Sequence, residues 1–142
     1  MDYTSIILAA AKSAKVSGSL LLAICTHESN LKNVNTHNDG GSTSWGICQV
    51  KLGCAQHMGF RGIALDLTNP TENAKWAATY LRYQMNRYDG DTCRAVAAYN
   101  AGSFIESKKF PGRPVNMGYI RKIQSKLSEE YRSQLICEKA DY

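Results

Sequence analysis

The sequence predicts an all-α single domain over residues 1–142. Apolar residues recur at helical spacing along most of the chain, helix start and stop signals flank those runs, and no stretch alternates as a half-buried strand does. A chain of 142 residues fits one domain, and 44% hydrophobic with 20% charged residues is ordinary globular composition. The longest apolar runs, Ile6–Ala11 and Leu20–Cys25, fall far short of the roughly 20 residues a membrane span needs. No stable membrane insertion is expected.

Residues 3–15 place Ile6, Ile7, Ala10, Ala11 and Ala14 on one helical face. Val16-Ser17-Gly18-Ser19 breaks this helix and offers serine caps for the next. That helix, about 19–29, carries Leu21, Ile24, Cys25 and Glu28 along one stripe. Residues 30–45 are polar and turn-rich, a long loop of the functional kind, with at most a short hairpin within 36–50. A short helix is expected around 51–58. Asn69-Pro70-Thr71-Glu72 is a strong helix start: a cap, a proline at the first helical position and a glutamate to close a capping box. Ala74, Ala77, Ala78, Leu81, Met85 and Tyr88 line the face of the helix that follows. Asp91 opens another helix through Tyr99, which stops near Gly102. Phe110-Pro111-Gly112-Arg113-Pro114 reads as a constrained loop. A last helix is expected over about 116–133, with Tyr119, Ile120, Ile123 and Leu127 facing inward.

Glu28 is the residue out of place. Seven positions after Leu21, it lies only about 20° from that residue's direction on a helix of 3.6 residues per turn, so it falls on the apolar stripe. A lone glutamate at a helix end is ordinarily a salt-bridged or snorkelling side chain. Burial, however, disfavours the carboxylate, and the negative end of the helix dipole pushes the same way. A carboxyl kept protonated near neutrality is a general acid.

Other constellations are weaker. His27-Glu28 lacks the second histidine of a zinc-protease helix, and no pair among His27, His37 and His57 with the cysteines has metal-ligand spacing, so no metal and no cofactor are expected. Cys25 and Cys48 carry no signature of a nucleophile and read as small core residues. Trp76, inside a helix, reads as packing. Trp45, in a loop beside glycines, suits packing or a sugar platform equally. Five cysteines leave at least one unpaired within the chain. Because Met-Asp-Tyr-Thr-Ser shows no secretory signal, reduced buried thiols and synthesis in a cytoplasm are expected. The net charge of +5 and pI near 9.0 favour an anionic partner. Without a dense Lys/Arg run, nucleic acid is not the expected one.

Four motifs in order resemble the soluble lytic transglycosylase and goose-type lysozyme superfamily: Glu28-Ser29, Ser44-Trp45-Gly46-Ile47-Cys48-Gln49, Ala97-Ala98-Tyr99-Asn100-Ala101-Gly102, and Tyr119-Ile120. The resemblance covers about residues 17–127. Ile47-Cys48 departs from the family's usual Leu-Met, and the chain is short beside members with accessory domains. The resemblance implies a lysozyme-like fold with a two-lobed cleft and a peptidoglycan substrate cut between N-acetylmuramic acid and N-acetylglucosamine. It implies Glu28 as the single catalytic acid and base, with Ser29 orienting its surroundings. Gly46 and Gln49 would shape the cleft floor, and Tyr99 and Asn100 would line the sugar site nearest the cut. Gly102 would turn the backbone there, and the Tyr119 hydroxyl would approach the acid. Ser44, and less closely Ser42, match a serine before the family's glycine.

Most glycosidases use two carboxyls. Asp39 is the best second one, though an aspartate before glycine is ordinarily a turn former. A single carboxyl suffices where the nucleophile is tethered in the substrate, so a 1,6-anhydro-forming lytic transglycosylase is expected ahead of a lysozyme-type hydrolase or a glycan-binding module that does not cut. The sequence further suggests a monomeric bacteriophage enzyme, an endolysin released through a holin or a virion-associated lysin, acting on the bacterial cell wall.

Overall fold

The computed structural model describes residues 2–137. They fall into two compact units that divide between Arg82 and Tyr83, inside one helix.

The first unit opens with α1 (Thr4–Ala14), which buries Ile7 and Ala11. Lys15 ends it in the left-handed conformation (φ 60°), so that its N–H reaches Lys12 O and that of Val16 reaches Ala11 O, the paired bonds of a Schellman stop. The Ser17 hydroxyl then accepts from Leu20 N–H at 3.2 Å and starts α2 (Gly18–Ser29), which packs on α1. Leu21, Ile24 and Cys25 of α2 are fully buried. Asn30 and Leu31, both at positive φ, turn the chain out of α2.

Where at most a short hairpin was expected within 36–50, a three-stranded sheet forms. β1 (Asn35–Asp39), β2 (Ser42–Trp45) and β3 (Val50–Lys51) form an antiparallel sheet in that order, with Thr36 opposite Ser44 and Ser44 opposite Lys51. Gly40 and Gly41, both at positive φ, make the two-residue turn between β1 and β2. A short α3 (Leu52–His57) and a 3₁₀ turn (Ala64–Thr68) follow.

The long helix α4 (Pro70–Arg87) starts at the expected signal, with Asn69 Oδ1 accepting from Glu72 N–H at 3.1 Å. The Glu72 carboxylate accepts from the Trp76 indole N–H at 3.0 Å, and Trp76 packs edge-on against Phe60. Ala74, Ala77, Ala78 and Leu81 are fully buried, as the stripe requires, and so are the polar Asn73 and Gln84.

In the second unit, Asp91 caps α5 (Thr92–Ala101) by accepting from Arg94 N–H at 3.1 Å, and Gly102 ends it at φ 88°. Residues 95–98 are fully buried. The final helix is shorter than its apolar pattern suggests. α6 (Met117–Lys126) stops where Leu127 turns extended, and residues Glu129–Gln134 form a separate 3₁₀ turn. Ser128-Glu129-Glu130 is itself a start signal, a cap residue with acids in the first turn. Arg132 Nε donates to Leu127 O at 3.2 Å, and Gln124 Nε2 donates to Leu135 O at 2.7 Å, which hold this segment against α6.

The expectation of reduced thiols is overturned. Cys25 is bonded to Cys48 in the first unit and Cys93 to Cys137 in the second, leaving Cys54 as the free, partly buried thiol. The partners lie 23 and 44 residues apart. Only the fold brings them together, so no local spacing announced them.

Candidate active site

Glu28 is the penultimate residue of α2, one turn beyond fully buried Ile24 and Cys25, and is itself partly buried. Its carboxyl therefore stands at the negative end of the helix dipole. The segment on which it sits is tied to the loop after β2 by two links. The Ser29 hydroxyl lies 2.5 Å from Ile47 O and 3.3 Å from Cys25 O, and the Cys25–Cys48 disulfide bonds the same two stretches of chain.

That loop, 46–49, is over-determined. Gln49, itself at positive φ (52°), donates its amide to Val34 O at 2.8 Å and to Gly46 O at 2.9 Å, while its Oε1 accepts from the Thr36 hydroxyl at 2.6 Å. Its side chain clamps the loop to the sheet. Gly46 has φ 73°, and a Cβ there would lie 2.5 Å from Asn73 Nδ2 and 2.8 Å from Leu67 O. Only glycine answers both demands. Ser44, in β2, is almost fully buried (1% exposed), whereas Ser42 is exposed.

Asn73 is the residue that sequence reasoning missed. Fully buried on α4, it accepts from Cys48 N–H at 2.9 Å and donates to Trp45 O at 2.6 Å and Leu67 O at 2.7 Å. One amide thus holds both sides of Gly46. Its signal was available: an asparagine beside Ala74 and one turn before Ala77, on a face otherwise apolar.

Tyr99 and Asn100 lie near the end of α5 and Tyr119 in the first turn of α6, all in the second unit. The Asn116 amide donates to Asn100 Oδ1 at 2.9 Å and to Ala97 O at 3.1 Å, joining the end of α5 to the residue that starts α6. Tyr99 and Tyr119 are partly buried and Asn100 is exposed. Arg87 braces the same corner, donating to Gly102 O at 2.7 Å and to the Ser103 hydroxyl at 2.8 Å.

Of the remaining sequence candidates, Trp45 is partly exposed, meets His37 edge-on at 6.2 Å, and lines a shallow pocket with Lys51, Leu52 and Ala64. His37 also pairs through Nδ1 with the Thr43 hydroxyl at 3.2 Å. The Asp39 side chain lies outside the described part. Among the described residues, no three His, Cys, Asp or Glu side chains are grouped to hold a metal ion.

The model of the transglycosylase SLT domain family matches residues 5–114, a span that contains every site residue named above except Asn116 and Tyr119. Two solved structures share the fold. An inactive mutant of the lytic transglycosylase Slt from Pseudomonas aeruginosa matches at a TM-score of 0.63 and 20% identity, over 92% of this chain and 21% of that one. The 70 kDa soluble lytic transglycosylase of Escherichia coli matches at 0.62 and 20% identity, over 93% of this chain and 20% of that one. This chain therefore spans about a fifth of the length of either.

Proposed function

Because the chain belongs to the transglycosylase SLT domain family, we propose that it cleaves peptidoglycan between N-acetylmuramic acid and N-acetylglucosamine, with Glu28 as the one acid and base. The observation that carries the reading is the seating of Glu28. It is a partly buried glutamate at a helix C-terminus, on a segment anchored by the Ser29 bond and the Cys25–Cys48 bridge.

Glu28 in its protonated form gives its proton to the glycosidic oxygen. The C1–O bond breaks, and positive charge develops at C1 of the muramic acid residue. The carboxylate left behind then accepts the proton of that sugar's C6 hydroxyl as its oxygen attacks C1, closing a 1,6-anhydro ring. Atoms balance without water. The tethered hydroxyl supplies the effective molarity that a second carboxyl would otherwise provide by positioning water. In this reading Gln49, Gly46 and Ser44 belong to the strand-and-loop segment to which Ser29 and Cys25 tie the end of α2, and Tyr99, Asn100 and Tyr119 are assigned to substrate. Two disulfides suit an enzyme that works outside a reducing cytosol.

Mass spectrometry of muropeptides released from purified sacculi tests this. The anhydro product is one water, about 18 Da, lighter than the hydrolysed one, by the stoichiometry above. Hydrolysed ends alone would replace the transglycosylase reading with a lysozyme-type one. Glu28→Gln should lower the lytic rate by about 10²–10⁴-fold with an unchanged circular dichroism spectrum. Undiminished lysis by that variant would remove Glu28 as the acid, and binding to sacculi without any release of fragments would make the chain a glycan-binding module.

A further inference from the structure

Between α5 and α6, residues 105–115 (Ile-Glu-Ser-Lys-Lys-Phe-Pro-Gly-Arg-Pro-Val) form a loop that the proposed chemistry does not use. Its arms are closed into a short antiparallel ribbon. Glu106 pairs with Pro114, Ser107 N–H donates to Arg113 O at 2.7 Å, and Val115 N–H donates to Ile105 O at 2.9 Å. At the tip the Ser107 hydroxyl accepts from Phe110 N–H at 3.1 Å, and Arg113 N–H donates to Phe110 O at 3.1 Å. Two prolines stiffen the remainder, so the loop is built before any partner arrives.

What this ribbon displays is unusual for a surface in water. Residues directly opposite each other on antiparallel arms share a face, so Ile105 (53% exposed) and Val115 (58%) form one apolar pair. Phe110 is 51% exposed at the tip, with Lys109 Nζ 5.4 Å and Arg113 Cζ 5.7 Å from its ring. Lys108 and Lys109 are both exposed. Clustered exposed apolar side chains of this kind mark a binding surface.

The chemistry selects the partner. A hydrophilic polyanion would engage the cations and leave Ile105, Val115 and Phe110 in water. An anionic bilayer takes both sets: phosphates meet Lys108, Lys109 and Arg113, while the phenyl ring and the aliphatic pair enter the boundary between headgroups and acyl chains. Lysine and arginine stems lie along that boundary with their charges outward. We propose that the 105–115 loop is a peripheral anchor for an anionic phospholipid surface. The chain would lie on the bilayer without spanning it, since among the described residues no helix is long and apolar enough to cross.

Co-sedimentation of the full chain with phosphatidylcholine vesicles, with and without phosphatidylglycerol, is the test. The chain should pellet with the anionic vesicles and stay in solution with the neutral ones. Lys108→Ala and Lys109→Ala should each weaken partitioning about fivefold, and Phe110→Ser about tenfold or more. Lys126→Ala, an exposed cation outside the loop, should change it little. Far-UV circular dichroism verifies that the variants fold. Absence of anionic-vesicle binding, or binding that the loop variants leave intact, overturns the proposal. So does loop-dependent retention on purified sacculi with the vesicles ignored, which would give the loop to the wall polymer, or loop-dependent self-association, which would give it to a second copy.

Discussion

The Ser29 hydroxyl donates to the carbonyl oxygen of Ile47 across 18 residues of sequence, at 2.5 Å. Because Cys25 and Cys48 join the same two segments covalently, the hydrogen bond and the disulfide restrain one degree of freedom together. Their contributions should therefore not add. Ser29→Ala is expected to cost about 1 kcal/mol in the oxidised protein and more once the bridge is gone. Urea melts of the parent, Ser29→Ala, the Cys25→Ser/Cys48→Ser pair and their combination measure the coupling. A zero interaction energy would mean the two links restrain different motions.

Loss of the bridge itself should be costly. A loop closed over 23 residues removes enough unfolded-state entropy to stabilise by about 3 kcal/mol, and one over 44 by about 4 kcal/mol. Reductant should thus lower the melting temperature well below that of the oxidised protein. Alkylation of the native, unreduced chain should add one label, at Cys54, and leave lysis intact. After reduction and unfolding, all five cysteines should take it. Several labels on the unreduced native chain would show that the bridges do not form in solution.

How far the sequence spoke for itself depended on whether a signal was local. Asn69-Pro70 announced α4 because capping is written in four adjacent residues, and Gly102 announced the end of α5 for the same reason. The three strands were harder. Residues 35–51 show no alternation because the sheet is small and polar, with Thr36 and Gln49 bonding each other on its surface; Asp39-Gly40-Gly41 was its only plain mark. The apolar pattern of α6 runs on through Leu127 although Ser128 opens a new turn, so periodicity alone overstates the length of that helix. At the candidate site, the motifs single out Glu28 and the residues proposed to act with it. They do not single out Asn73 or the disulfide partners, since the meaning of these lies in contacts between distant segments.

Net charge makes a separate prediction. If the proposed function holds, the net charge of +5 draws the chain to a polyanionic wall, an attraction screened beyond roughly 8–10 Å at 0.1–0.15 M ionic strength. Lysis of sacculi should fall steadily as sodium chloride is raised through that range, mainly through weaker association. A rate unchanged across the titration would remove charge steering from the account.

The buried amide of Asn73 and the missing side chain of Gly46 form a matched pair, and substitution can show it. Asn73→Ala leaves Cys48 N–H, Trp45 O and Leu67 O without their partner. At about 1–3 kcal/mol for each buried group orphaned, a loss of at least about 3 kcal/mol is expected, or a melting temperature lower by roughly 10 °C in a chain of this size. Gly46→Ala meets three penalties: the positive φ, a Cβ 2.5 Å from Asn73 Nδ2, and the same Cβ 2.8 Å from the Leu67 backbone oxygen. Gly41→Ala, at φ 89° with nothing within 4 Å, meets the first alone and should cost only about 1–2 kcal/mol. Gly46→Ala should therefore be the more damaging by calorimetry. Combined with Asn73→Ala it should cost less than the sum of the two, because removing the amide gives the new methyl room. Strict additivity would mean that Asn73 does not press on Gly46, and equal losses at Gly46 and Gly41 would mean that backbone strain alone governs it.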